Sequence, residues 1–288
     1  MIHLQHSGLR VSILDPVADK ARLGSRYCVG GYVWQIHDDE KGDLLSGPKF
    51  PSAEPGGWDG QGIPEAFEIA LDQHQAKVGG EVWVIGVGRV KRESPVKPFH
   101  VRENLTVVEF APWKIETDIS TASCVMTSRQ TFRDWDILLT RRIALEGRTL
   151  VSATTVKNVG KAEVPIRWFA HPFFPHAGWE CCRPSVECVF PAYVPKAGGF
   201  RFNAEGFIER VPEFDWKVGC FQLLSLPFGF PLNVVQKHPT LGEVKVECRF
   251  PVAWMPIWAN YRTNSFEPYH HTVLSTGALS DWSIRYGF

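Results

Sequence analysis

The sequence has no excess of charge of either sign and no apolar run long enough to cross a membrane. Lys plus Arg and Asp plus Glu each number 31, so the formal net charge is zero and a polyanionic partner such as nucleic acid is not expected. Every apolar stretch is interrupted well before the roughly 18 residues that a transmembrane helix requires. The first residues also lack a basic segment followed by an apolar block. We therefore expect a soluble, cytoplasmic protein that has neither a nucleic-acid nor a membrane partner.

The spacings typical of metal, nucleotide and nucleophile sites are missing as well. The seven cysteines are scattered, with Cys181 and Cys182 adjacent and no CxxC pair, which favours reduced thiols over a disulfide framework. Residues 86–88 are too short for a dinucleotide-binding loop, and there is no nucleophile elbow. Four histidines match no known zinc spacing, namely His171, His176, His270 and His271. We expect no metal ion and no other cofactor.

Helical periodicity is scarce, whereas short segments with β-type patterns are abundant. Nine of them are 32–37, 81–90, 113–119, 123–132, 137–145, 150–156, 164–169, 244–250 and 283–288. Gly147 suits a tight hairpin turn between two of these segments, because glycine tolerates positive φ. Short connections predict a meander in which 164–170 lies beside its predecessor and carries His171 to a strand end. The sequence predicts an all-β protein, a large antiparallel β-sandwich, with residues 1–288 in one domain.

Four segments depart from the β-type pattern. Residues 48–62, 175–184 and 224–231 are rich in turn residues or poor in regular pattern and are predicted as loops. Loops over a rigid scaffold are where binding residues gather. Residues 63–75 are predicted to form a short helix, with Pro64 suited to its first turn.

Residues 136–174 read DILLTRRIALEGRTLVSATTVKNVGKAEVPIRWFAHPFF, and this stretch resembles the central part of the aldose 1-epimerase (galactose mutarotase-like) superfamily. Paired strands, an Asn-x-Gly turn and a further strand lead into a His-Pro-aromatic-Phe motif. About a hundred residues later, 264–268 (NSFEP) is similar to the family's Glu-Pro segment, and 277–288 resembles its closing strand. The resemblance implies an antiparallel sandwich with a sugar on its concave face. It also implies that His171 is the catalytic acid and Glu267 the catalytic base.

The chemistry of these two residues fits anomer interconversion independently of the family. The anomeric hydroxyl must lose a proton while the ring oxygen gains one, so that the hemiacetal opens, rotates and closes again. A carboxylate suits the first role and a histidine the second, without a metal or a covalent intermediate. Both residues precede proline, which favours extended backbone, so His171 and Glu267 should project from strand ends into a cleft.

Two further residues of the family have no clear counterpart in this sequence. The family binds its sugar with an earlier histidine next to glycine, and the candidates in the matching third are His74 and His100. His74 follows residues 60–67 (GQGIPEAF), which loosely resemble the phosphosugar branch, and is therefore preferred. The hydroxyl-binding aspartate of the family would fall between the catalytic candidates, where Asp215 lies.

Arginines and aromatic residues supply the other candidates for sugar binding. Arg26 and Arg89 can donate paired hydrogen bonds to sugar oxygens or to a phosphate. The sequence contains 11 Trp and 19 Phe, and flat aromatic rings match the C–H faces of a sugar, although most of them should fill the core. We expect some of Trp34, Trp168 and Trp179 near the ligand.

The leading hypothesis is therefore an isomerase acting on a small-molecule aldose or aldose phosphate. The alternative is a non-catalytic carbohydrate-binding protein on the same fold, favoured by the missing histidine and the unclear aspartate. A third possibility is an enzyme of glycosidic bonds, which needs two facing carboxylates, and the sequence places only Glu267. The pattern of residues defines no oligomeric state.

Overall fold

A computed structural model describes residues 1–51, 59–191, 198–227 and 229–288, and strands dominate it. In these ranges the first twelve strands are β1 (Ile2–His6), β2 (Leu9–Ile13), β3 (Val33–Asp38), β4 (Gly42–Asp43), β5 (Glu65–Phe67), β6 (Ala70–Leu71), β7 (Glu81–Val84), β8 (Gly88–Lys91), β9 (Val107–Phe110), β10 (Lys114–Asp118), β11 (Ser123–Phe132) and β12 (Trp135–Glu146). The others are β13 (Thr149–Asn158), β14 (Val164–Ala170), β15 (Phe174–Pro175), β16 (Glu180–Pro184), β17 (Phe200–Phe202), β18 (Ile208–Arg210), β19 (Cys220–Leu224), β20 (Pro231–His238), β21 (Gly242–Pro251), β22 (Met255–Ala259), β23 (Thr263–Phe266), β24 (Tyr269–Leu274) and β25 (Leu279–Gly287).

Helix is confined to two three-residue 3-10 turns in the described ranges, Lys20–Arg22 and Val101–Glu103. Neither is long enough to cross a membrane. The prediction of an all-β, antiparallel sandwich is confirmed.

The largest sheet has ten antiparallel strands in the order β10-β11-β12-β13-β25-β21-β20-β16-β18-β17. The predicted hairpin lies within it: Leu145 pairs with Leu150, and Gly147 has φ of 63° in the turn. Burial alternates along β21, so that every second side chain from Val244 to Phe250 faces the core. This period of two is the pattern that predicts a sheet with one face in the core and the other in solvent.

The predicted meander ends at β13, because β14 belongs to a different sheet. β25 takes the place beside β13, and β14 lies between β24 and β5. The turn after β13 explains the change of sheet: the Asn158 amide donates to the Ala162 and Leu274 carbonyls, both at 2.9 Å, and its oxygen accepts from the Gly160 N–H at 3.0 Å. These bonds tie the start of β14 to the end of β24. The prediction of this neighbour was wrong, although the strand itself is present.

Residues 63–75 form no helix, which corrects the prediction of a helix there. The segment contains β5 and β6, and all three residues of β5 are buried. Glu65 and Phe67 pair with Ala170 and Trp168 of β14. Long-range pairing and burial thus outweigh a local sequence that is compatible with helix.

The predicted loops agree only in part with the structure. Residues 175–184 contain β16, which corrects that prediction. The loop predicted at 224–231 lies between β19 and β20, apart from residue 228, which is outside the described residues. Residues 52–58 of the loop predicted at 48–62 are also outside them. Two smaller four-stranded sheets, β1-β2-β3-β4 and β6-β7-β8-β9, and a third with the order β15-β23-β22-β19 complete the described fold.

The three-stranded sheet packs against the ten-stranded sheet through aromatic side chains. Trp168 of β14 contacts Trp282 of β25 at 5.4 Å between ring centroids and Phe250 of β21 at 5.6 Å. Both Trp168 and Trp282 are buried. One face of β14 therefore lies in the sandwich core, which leaves its other face for a site.

Candidate active site

A cavity of about 420 Å³ lies on the face of β14 that points away from the sandwich core. Strands β5, β14, β19 and β22 contribute side chains to its walls, and so do the segments at 100–102 and 267–269. A volume in this range is typical of sites for small molecules.

Alternation along the end of β14 brings His171 into this cavity. Phe169, His171 and Phe173 line it, whereas Trp168 and Ala170, at the alternate positions, are buried in the core. The pairing continues irregularly past the end of the strand, because the His171 N–H donates to the Pro64 carbonyl at 2.8 Å. Successive side chains of extended backbone point to opposite faces, so the residues at every second position share the cavity.

Glycine is required where this segment passes over β3. The Phe173 N–H donates to the Gly62 carbonyl at 2.8 Å, and Gly62 has φ of 75°. A Cβ atom at Gly62 would lie 2.4 Å from the Val33 carbonyl oxygen, which no real contact allows. The close approach of two backbones thus fixes the segment that carries Phe173 to the cavity.

Glu267 enters the cavity from the segment that joins β23 and β24. Its N–H donates to the Pro256 carbonyl at 2.9 Å, which anchors the segment to β22. The side chain is buried, with 5% of its surface exposed. Tyr269, two residues further on, lines the same cavity and stacks on Phe169 with a centroid distance of 4.7 Å.

The His171 and Glu267 side chains contact each other directly. His171 Nε2 lies 3.3 Å from Glu267 Oε1, and both side chains are almost fully buried. Burial raises the pKa of Glu267 to about 8, partly offset by the positive charge of Arg26. Burial, reinforced by Arg26, lowers the pKa of His171 well below its usual value. Removal from water therefore favours the neutral pair, in which one proton lies between the two groups, over the ion pair.

The second nitrogen of His171 also has a partner. Ser265 Oγ lies 2.8 Å from His171 Nδ1, and Ser265 is fully buried in β23. The ring itself is surrounded by aromatic side chains, which hold it in place. These are Tyr27, Phe169, Phe173 and Trp258, with centroid distances of 4.3 to 6.2 Å.

Among the candidate ligand-binding residues, Arg26 reaches the cavity and His74 does not. Arg26 lines the cavity close enough for its charge to affect both His171 and Glu267. His74 is exposed outside it, beside Gln73. His100, the other histidine considered, lines the cavity next to the 3-10 turn at Val101–Glu103. Of the two candidate histidines, the structure thus brings His100 and not His74 to the cavity.

The other predicted binding residues do not line the cavity. Trp34 is buried behind its wall, in a cluster with Tyr32 that also contains the lining residues Phe169 and Tyr269. Arg89 is paired with Glu81 and Glu109 on the surface, and Asp215 caps a turn by accepting from the Lys217 N–H. Two tryptophans expected near the ligand are not in the cavity either: Trp168 faces the core, and Trp179 is 47% exposed over Arg210.

Several residues of the cavity are not among the predicted ones. Glu68 and Asp59 add carboxylates, while Trp258 and Phe221 add an aromatic wall. Phe221 of β19 and Trp258 of β22 are directly paired residues of neighbouring strands, so their side chains lie on the same face of the sheet. Their positions depend on strand pairing between distant segments, so no local pattern indicates them. Alternation around His171 does indicate Phe169 and Phe173.

No three His, Cys, Asp or Glu side chains within the described ranges are close enough together to share a metal ion. The His171 and Glu267 side chains of the cavity are chemically able to donate and accept protons.

No protein-family model matches the chain, and no curated protein matches it by sequence. Solved structures match it over nearly its whole length. A galactose mutarotase related enzyme from Lactobacillus acidophilus has a TM-score of 0.64 at 12% identity, covering 99% of this chain and 96% of that one. A galactose mutarotase-like protein from Clostridium acetobutylicum has a TM-score of 0.53 at 13% identity, covering 99% of this chain and 93% of that one. The GalM/aldose epimerase homologue from C. elegans has a TM-score of 0.53 at 9% identity, covering 99% of this chain and 97% of that one.

These similarities identify the class of fold. The chain has the antiparallel β-sandwich of galactose mutarotase-like proteins, as the resemblance implied.

Proposed function

We propose that this protein interconverts the α and β anomers of an aldose, with Glu267 and His171 exchanging protons with the sugar. The observation that carries the proposal is the distance of 3.3 Å between Glu267 Oε1 and His171 Nε2 at one wall of the cavity. The anomeric hydroxyl and the ring oxygen of a hemiacetal are bonded to the same carbon. An acid and a base that serve both oxygens must therefore lie within a few ångströms of each other.

Ring opening uses the ionised form of the pair. The Glu267 carboxylate accepts the proton of the anomeric hydroxyl, and that O–H electron pair forms the carbonyl of the open chain. The bond between the anomeric carbon and the ring oxygen breaks, and the ring oxygen takes the proton from His171 Nε2. The pair is then neutral, with the proton on Glu267. This is the form that burial favours, so its stability assists opening.

Closure reverses each transfer after rotation about the bond next to the carbonyl carbon. His171 Nε2 takes the proton back from the hydroxyl, whose oxygen attacks the carbonyl carbon, and Glu267 returns its proton to the new anomeric hydroxyl. The pair becomes ionised again and needs no proton from solvent. The direct contact between the two side chains also lets the neutral and ionised forms interconvert in the empty site.

The rest of the cavity supplies groups for orienting a sugar. Arg26 and His100 offer hydrogen bonds to hydroxyl oxygens, and we propose that His100 takes the role of the family's earlier sugar-binding histidine. Phe173 and Trp258 present apolar surface to the C–H faces of the ring. Arg102 adds a second guanidinium at the exposed side, so aldose phosphates remain among the proposed substrates. The names of the matched structures, a galactose mutarotase related enzyme and an aldose epimerase homologue, support the same class.

The test is anomer exchange measured by NMR on aldoses and aldose phosphates, with wild type, His171→Asn and His74→Asn. Wild type should accelerate the exchange of one sugar class. His171→Asn should lower the rate by about a hundredfold or more, since it removes a proton-transfer group. His74→Asn, outside the cavity, should leave the rate unchanged. Calorimetric binding of a sugar without any acceleration would favour a non-catalytic carbohydrate-binding protein instead.

A further inference from the structure

The structure assigns Ser265 a positioning role: its hydroxyl oxygen accepts the proton of His171 Nδ1, so that Nε2 is the nitrogen through which His171 exchanges protons with Glu267 and the substrate. The kinetic consequence of this role rests on the proposed function. The hydrogen bond itself does not, since it exists in the empty protein.

Ser265 is placed to act through the ring and not on the substrate. Its Oγ lies 2.8 Å from His171 Nδ1, on the side of the imidazole opposite to Glu267. The residue is fully buried and does not line the cavity. A serine nucleophile would have to reach the substrate, and in the familiar catalytic triads it is the reacting nitrogen that contacts the serine. Here the contact to serine is made by the nitrogen that faces away from the cavity.

The direction of the hydrogen bond follows from the proton count of the neutral pair. With the proton of that pair on Glu267, its carboxyl O–H must donate to Nε2, which requires a lone pair on Nε2. The ring proton is then on Nδ1, and the partner available to it is the Ser265 hydroxyl. The opposite tautomer would set Nε2–H against the Glu267 O–H, leaving one buried donor without an acceptor.

The same arrangement serves the ionised pair. Imidazolium carries protons on both nitrogens, so Nδ1–H continues to donate to Ser265 while Nε2–H faces Glu267. Only the Nε2 proton moves during ring opening and closure. A hydroxyl acceptor that stays in place in both charge states therefore keeps the ring fixed and defines which nitrogen reacts.

Replacing Ser265 by Ala removes the acceptor and leaves Nδ1–H buried without a partner. We expect the pair then to release one proton to solvent, so that a neutral ring protonated on Nε2 donates to an ionised Glu267. Turnover should fall on the order of tenfold, the factor that one hydrogen bond is worth, with KM within about twofold. Ser265→Thr keeps a hydroxyl at this position and should restore the rate. Thr263→Val is the matched control: it removes a buried hydroxyl of the same strand that donates to the Phe174 carbonyl at 2.8 Å.

The pH dependence should move in a defined direction. Charged and titratable groups around the pair are Arg26, Glu68, Tyr27 and Tyr269, and all of them are unchanged in Ser265→Ala. Because Nε2–H would now donate to the carboxylate, the pKa of Glu267 should fall from about 8. The alkaline limb of kcat/KM should then shift to lower pH. A variant damaged only in packing would lose rate without this shift.

The deciding experiment is NMR of the imidazole nitrogens of His171 in the isotope-labelled, sugar-free protein. Nδ1 protonated in wild type and Nε2 protonated in Ser265→Ala are the expected results. A wild-type ring protonated on Nε2, or an unchanged tautomer in Ser265→Ala, would overturn the inference. Since the wild-type spectrum needs neither a substrate nor a variant that folds, this result is independent of whether the protein catalyses anomer exchange.

Discussion

Glu65 and Glu267 are buried to nearly the same extent, 3% and 4% exposed, yet their surroundings are opposite in kind. Glu65 of β5 forms an ion pair with buried Arg141. It also accepts from Ser152 Oγ at 2.5 Å and from Trp168 Nε1 at 3.1 Å. Its charge is therefore compensated within the sandwich core, and Glu65 does not line the cavity that contains Glu267.

Glu267 has no such set of donors among the contacts described above. Its carboxyl group meets the His171 ring at 3.3 Å and faces a cavity. Burial raises its pKa to about 8, and a group with a pKa near neutral pH can both take and return a proton. Burial alone therefore does not mark a functional carboxylate. The difference between the two lies in whether the protein has already neutralised the charge.

The largest expected effect on stability comes from breaking the compensated cluster. Arg141→Met leaves the Glu65 carboxylate buried without its counter-charge and should lower the free energy of unfolding by about 3–5 kcal/mol. Arg129→Met is the control, because it removes an exposed partner of Asp136 and should cost no more than about 1 kcal/mol. Urea unfolding of both variants measures the difference. If both variants lost the same free energy of unfolding, the buried ion pair would contribute no more to stability than the exposed one.

Removing the Glu267 carboxyl group should have the opposite effect and stabilise the protein at alkaline pH. Its pKa in the folded protein is about 8 against an ordinary value of 4.5, so the unfolded chain ionises first as the pH rises. Wild type therefore loses stability between these two values, and Glu267→Gln, which does not titrate, should keep it. Between acid pH and about pH 8 the variant should therefore gain several kcal/mol of stability relative to wild type, about 1.4 kcal/mol for each unit by which burial raises the pKa of Glu267.

Urea unfolding at about pH 5 and about pH 9 checks the sign of this effect. At acid pH both proteins lose stability through His171, whose pKa is lowered by burial, so the increase of the difference towards alkaline pH is the contribution of Glu267. A difference in stability that does not grow with pH would show that Glu267 is as well solvated as a surface carboxylate.

A smaller effect is expected at the arginines. Arg26→Met removes a guanidinium from the cavity and should weaken sugar binding by about tenfold, or 1.4 kcal/mol. Arg89→Met, a change of the same kind, breaks surface pairs with Glu81 and Glu109 and should leave binding within about twofold. Calorimetric titration with the best substrate compares them. Equal losses would place the sugar outside the cavity that contains Glu267.

The features predictable from sequence were those that depend on local pattern or on a linear motif. Alternation gave the strands, the Gly147 turn gave the β12–β13 hairpin, and the two proline motifs indicated His171 and Glu267. The helix predicted at 63–75 failed, because β5 is held by pairing with a strand about a hundred residues away. Local propensity contains no information about such a partner.

The wider site escaped prediction for the same reason. Glu68, Phe221 and Trp258 reach the cavity from separate parts of the chain, and none belongs to the motifs that point to His171. Ser265 was within the NSFEP segment from the start, but its role depends on the His171 ring lying behind the cavity wall. Contacts between distant segments must be known before such residues can be assigned.

The most direct test of the account is the rate of anomer exchange with Glu267→Gln, compared with Glu116→Gln on exposed β10. Gln keeps the size of the side chain but cannot accept the anomeric proton. Turnover of the best sugar should therefore fall by about a hundredfold to ten-thousandfold, with binding within about tenfold. Glu116→Gln should match wild type. Full activity of Glu267→Gln would contradict the assignment of proton transfer to this carboxyl group.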